Sequence, residues 1–107
     1  MSATQRYSGQ VAGTVLDVEV GGNCRFVHID IGNTTAAVAY LQVFNLPASS
    51  VTLGTTAPLL SYRLEASTSK VVAPALPVIL GGSGFSVAGT TTRTGSTGAA
   101  LDINILY

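Results

Sequence analysis

The chain holds one histidine, His28, and one cysteine, Cys24, so acid–base or nucleophilic chemistry would have to begin with them. An imidazole backed by a carboxylate needs a nucleophile within hydrogen-bond reach. Cys24 stands four positions before His28 on what reads as one strand. They share a face but lie roughly 13 Å apart at ~3.3 Å per residue. The pair is therefore not catalytic, and the better reading is a histidine satisfied by Asp17 across a hairpin. No histidine or cysteine pair stands at zinc spacing. Asp17 and Glu19, near Asp30, offer oxygens of the kind calcium takes. Acids alternating along a strand are, however, the ordinary pattern of its wet face.

Two glycine-rich stretches invite a phosphate-loop reading. GGSGF, from residue 81, lacks the second spaced glycine pair, and TRTGSTG, from residue 92, lacks the lysine that should follow its glycine. Neither opens a helix, so the backbone nest and helix dipole that bind phosphate are missing from the pattern. With seven aromatics (four Tyr, three Phe) and no tryptophan, stacking platforms for bases or sugars are poorly supplied. The expectation is a non-enzyme with no cofactor and no metal.

The elements that would carry these residues are short and extended. Leu16, Val18 and Val20 alternate with Asp17 and Glu19, and a second run follows from Cys24 to Ile31. If Gly22-Asn23 is a two-residue hairpin loop, Val20 faces Arg25, Val18 faces Val27 and Leu16 faces Ile29. A three-residue loop pairs Val18 with Phe26 and gives a less consistent face, so the first register is preferred. Ala37 to Leu46 carries apolar residues on both parities, with Val38, Tyr40 and Phe44 on one and Leu41 and Val43 on the other. Such a strand is expected to be covered on both faces, and a neighbouring subunit is one candidate cover.

Leu46 to Ser50 reads as a turn or short loop, Val51 to Gly54 as a brief strand, and Leu60 to Leu64 as a one-sided strand. Val71 to Leu80 is extended, but Pro74 and Pro77 place it at an edge or between sheets. Phe85 and Val87 form a short strand, Thr90 to Gly98 a loop carrying Arg93, and Leu101 to Tyr107 a last alternating strand. No segment holds helical periodicity. Seven or eight short strands with regular turn signals predict an all-β, antiparallel β-sandwich or jelly-roll-like domain over residues 11–107. Residues 1–10, polar and without period, read as an extended N-terminal arm that Arg6 and Tyr7 could anchor on a neighbour.

Composition narrows the function class. A length of 107 residues suits one domain. Net charge is zero, which argues against binding nucleic acid by charge. Only 9% of residues are charged, against about 25% in an average globular protein. So neutral and charge-poor a surface protects a free monomer badly and suggests one covered in an assembly. A lone cysteine allows no internal disulfide and agrees with folding in a reducing compartment. No signal peptide and no membrane-spanning run are visible in the sequence.

Four stretches carry a resemblance. YLQVFNLPASSVTLGTTAP from Tyr40, then LLSYRLEAS, GFSVAGTTTRTGST and LDINILY resemble a family of small virion proteins of tailed bacteriophages. The matching features are Phe44-Asn45, Val51 to Pro58, Gly84 to Ala88, Thr90 to Thr97 and Ile103 to Tyr107, across about two thirds of the chain. The resemblance implies a structural component of the particle. A head decoration or cement protein fits best: a small β-sandwich that binds the major capsid protein on the outer surface of the capsid as a homotrimer. A tail, fibre or baseplate module for host or glycan attachment is the alternative. On that reading Arg6, Tyr7, Arg25 and Arg93 are the expected polar anchors, because charge is so scarce, with Tyr40 and Phe44 at a subunit interface.

Overall fold

The computed structural model describes residues 6–20, 24–26, 28–72, 78–80 and 84–106, with 6–7, 19–20, 24–26 and 78–80 as backbone only. Among the described residues ten strands follow in order: β1 Arg6–Val11, β2 Leu16–Val20, β3 Cys24–Phe26, β4 His28–Asn33, β5 Ala39–Phe44, β6 Leu60–Leu64, β7 Thr68–Val72, β8 Val78–Leu80, β9 Gly84–Thr90 and β10 Leu101–Leu106. Eight of them build two four-stranded sheets, β1-β10-β4-β7 and β2-β9-β5-β6, and β3-β8 forms a two-stranded ribbon. Every pairing is antiparallel. A single 3-10 turn at Ala48–Ser50 is the one helical element among the described residues.

Period-two alternation explains the layering. Ile29 and Ile31, Leu101, Ile103 and Ile105 turn inward from the first sheet, with Val11 beside them. Ala39, Leu41, Val43, Leu64, Phe85 and Val87 meet them from the second. Burying each of the larger side chains stabilises the fold by about 1.5–3 kcal/mol. All-β antiparallel sandwich architecture is thus as the sequence pattern predicts.

The pairing differs from expectation at the start of the chain. β2 does not fold back on β3: Leu16 pairs with Val87 of β9, and Ile29 with Ile105 and Val72. Gly22-Asn23 itself lies outside the described residues. β3 pairs with β8, Cys24 with Leu80 and Arg25 with Ile79. Its register has the same offset as Val20 with Gly84 in the β2–β9 pair, so both short ladders follow one alignment. The expected arm is likewise corrected from Arg6 onward. Residues 6–11 form the edge strand β1 against β10, Arg6 opposite Leu106 and Val11 opposite Leu101. Its weak internal alternation is overruled by the ladder that β10 offers. Met1 to Gln5 lie outside the described residues.

Two further expectations change on the outer face of the second sheet. Val51 to Gly54 is no strand. Thr55 and Thr56 both donate N–H to the Thr52 carbonyl at 3.0 and 2.8 Å, and the Thr52 N–H donates to Thr56 Oγ1 at 3.0 Å. Gly54 has φ +86°, a left-handed conformation that glycine takes without strain, and sits against Ser96. Threonine hydroxyls here satisfy backbone groups that a ladder would otherwise use. The second change concerns β5, which is indeed covered on both faces, yet by its own chain. Gln42 and Phe44 are 0% and 1% exposed. The segment after β5 and the loop after β9 lie over them, so β5 no longer argues for a subunit partner.

Tyr62 packs half-buried against the core, and its burial raises the phenol above its ordinary pKa of 10.0. A raised folded-state pKa gives a contribution fully present below the unfolded value and lost as pH rises through the folded one. The stability of the protein is therefore expected to fall above about pH 10. Tyr62→Phe should flatten that part of a melting-temperature profile; an unchanged alkaline limb would reject the assignment.

Candidate interaction surface

β5 and β6 form a hairpin in which Tyr40 stands opposite Arg63 and Gln42 opposite Ser61. On its other side β5 sets Tyr40 beside Thr90 and Gln42 beside Ala88 of β9. All these side chains have outward parity, since Ala39, Leu41 and Val43 take the core. The loop after β9 folds back over this face. Gln42 Nε2 donates to Thr90 Oγ1 at 2.7 Å and to the Gly95 carbonyl at 3.1 Å. Thr90 Oγ1 donates its own proton to the Thr92 carbonyl at 2.8 Å. Both groups facing the amide therefore need a donor, which fixes its orientation and leaves the buried Oε1 without a hydrogen-bond partner among the described residues.

The loop is closed by the Thr91 N–H donating to the Thr97 carbonyl at 2.9 Å. Ser61 then holds Arg93 twice. Ser61 Oγ donates to the Arg93 carbonyl at 2.9 Å, and an Arg93 guanidinium N–H returns to the Ser61 carbonyl at 3.2 Å. That guanidinium lies over the Tyr40 ring, 5.3 Å from its centroid, where the ring's negative face attracts it. Arg63 completes the group: its Nε donates to Glu65 Oε2 at 2.6 Å, and a second N–H reaches the Tyr40 hydroxyl at 3.5 Å. The hydrogen bond to Arg63 holds the Glu65 carboxyl below its usual range, and the same bond raises the guanidinium.

Of the six residues expected to make contacts, the structure brings two together, Tyr40 and Arg93. Phe44 shares the parity of Tyr40 but is interior at 1% exposure, covered where Ser86 Oγ donates to the Leu46 carbonyl at 2.8 Å; it is not an interface residue. Arg6 and Tyr7 belong to β1 in the other sheet, and Arg25 to the ribbon strand β3. Their side chains are outside the described set. Arg63, Glu65 and Ser61 were missed by sequence reading. Their alternation with Leu60, Tyr62 and Leu64 was legible, but their meeting with Tyr40 depends on the β5–β6 register.

The acids considered for other chemistry are placed apart. Asp17, in the second sheet, accepts the Ala48 N–H at 2.7 Å. Asp30, in the first, lies 3.3 Å from His28 Nε2. His28 is thus partnered by a neighbour on its own strand, two residues on, and not by Asp17 across a hairpin. Asp17 and Asp30 do not converge, and among the described residues no three of His, Cys, Asp and Glu gather. No protein-family model matches the chain, and neither curated proteins nor solved structures gave a match.

Proposed function

We propose that the protein is a non-enzymatic structural component of a tailed-bacteriophage virion, a decoration protein that binds the outer head as a homotrimer and clamps capsid subunits together. The observation that carries this reading is a charge-poor exterior on which, among the described residues, two arginines and a glutamate meet at Tyr40: Arg93 over its ring, and Arg63, paired with Glu65, at its hydroxyl. Tyrosine and arginine are the side chains that dominate protein interfaces. The resemblance of the Tyr40–Pro58, Gly84–Thr97 and Leu101–Tyr107 stretches to phage virion proteins supports the same class. So does the strand order of the two sheets, which we read as a jelly roll, an arrangement shared by viral capsid and lectin domains.

Sedimentation of the purified protein and its cosedimentation with expanded bacteriophage heads test the proposal. The expected result is a trimer that binds expanded heads and leaves unassembled capsid subunits alone. A stable monomer that ignores heads sinks it. Imaging that places the protein on the tail would instead favour the attachment-module alternative.

A further inference from the structure

We infer that Tyr40 and Arg93 receive a carboxylate side chain from an acidic segment of a partner protein. The inference rests on the reading above in one respect, that the chain has a protein partner. Its physical basis is the difference between the two arginines at Tyr40. Arg63 is paired with Glu65, whereas no carboxylate among the described residues pairs with Arg93. Arg93 nevertheless has an ordered position. Ser61 holds it by carbonyl and guanidinium together, Tyr40 lies under the planar group, and the loop beneath is fastened by Gln42 and Thr90.

A guanidinium held in this way has less side-chain entropy left to lose when a partner arrives. Its remaining N–H groups form a fork that matches a carboxylate. Tyr40 adds a second donor to the patch. Its hydroxyl oxygen accepts from Arg63 at 3.5 Å, so its proton can be given to an incoming oxygen. The chemistry favours a single carboxylate over a phosphate backbone. Beyond the Arg63–Glu65 pair the site offers, among the described residues, only Arg93 at Tyr40 and Lys70, whose Nζ donates to the Arg63 carbonyl at 2.8 Å, and the chain has no net charge. Binding to nucleic acid draws on many phosphate contacts at once.

The test titrates an acetylated hexaglutamate peptide into labelled protein and follows the backbone and guanidinium NMR signals. Signals of Arg93 and its neighbours are expected to move. Arg93→Ala should weaken binding at least tenfold, and Arg93→Lys, which keeps the charge and loses the fork, by a smaller factor. Raising ionic strength from about 0.1 to 1 M, which shortens the Debye length from ~10 to ~3 Å, should weaken it too. Arg93 is exposed, and matching melting curves would establish that the variants stay folded. Equal peptide binding by Arg93→Ala overturns the inference, as does tighter binding of a short DNA duplex to the same residues. Cosedimentation with heads separates this inference from the capsid reading. Heads bound equally by the wild type and Arg93→Ala would count against the carboxylate site alone. Heads ignored by a protein whose peptide binding still depends on Arg93 would count against the capsid reading alone.

Discussion

Asn33→Asp is expected to destabilise the protein by about 4 kcal/mol at neutral pH, near the upper end of single-residue effects. Asn33 closes β4 and is 1% exposed. Its Nδ2 faces the carbonyls of Ala37, Glu65 and Leu64 at 2.8, 3.1 and 3.4 Å, so it ties the first sheet to the end of β6 in the second. Oδ1 accepts from the Thr35 N–H at 3.0 Å and from Thr35 Oγ1 at 2.7 Å. Aspartate keeps the shape but turns an oxygen toward three carbonyl oxygens, losing every donor on that side and burying a charge. Protonation would relieve part of this. The introduced carboxyl should have a folded-state pKa raised above the ordinary ~3.9, so the penalty is smallest below that value and grows as pH rises through the raised one. Urea unfolding of both proteins at acidic and neutral pH measures it. A loss below about 1 kcal/mol at neutral pH would mean that Asn33 does not hold the two sheets together.

Gly89→Ala is expected to cost about 3 kcal/mol, at the upper end of overpacking substitutions, and to lower the melting temperature by roughly 15 °C at ~4–8 °C per kcal/mol. Gly89 lies in β9 at the middle of the second sheet. A Cβ there would run into the Ala99 carbonyl and press on Val11. Its N–H donates to the Ala12 carbonyl at 2.9 Å, and its carbonyl accepts the Ala99 N–H at 3.0 Å. Those bonds draw the chain after β1 and the chain before β10 onto β9, and a side chain would push both away. Gly32→Ala is the control, because a Cβ there comes no closer than 3.8 Å to Asp102. It should be neutral or slightly stabilising, since alanine loses less backbone freedom on folding. Equal melting temperatures for the two variants would refute the packing argument.

How much was legible depended on where the information lies. Leu60, Tyr62 and Leu64, like Leu101, Ile103 and Ile105, alternate cleanly, and both strands could be read because period two is a local property. β1 could not. RYSGQV has little alternation of its own and becomes a strand through β10, at the far end of the sequence. The VTLG stretch misled in the opposite direction: its side chains suit a strand, but hydroxyls and a left-handed glycine closed a turn. At the interaction surface the residue types pointed to Tyr40 and Arg93. What joins them is Ser61, whose importance follows from a cross-strand register and a returning loop. The double cover of β5 was visible in its composition, and the identity of the cover was not.

The position of β10 has a kinetic consequence. It lies between β1 and β4, and pairs Arg6 with Leu106 and Asp102 with Gly32. The first sheet therefore cannot close until residue 106 has left the ribosome, and until then β1 lacks the ladder that pairs it among the described residues. Pairings this distant in sequence carry a large loop-closure entropy and make folding slow. During that interval the second sheet can form its local β5–β6 hairpin while the inner faces of β4 and β9 remain uncovered. A chain in which β10 has not yet emerged is then a sticky one, and the rate of translation from β4 to β10 sets how long it stays so.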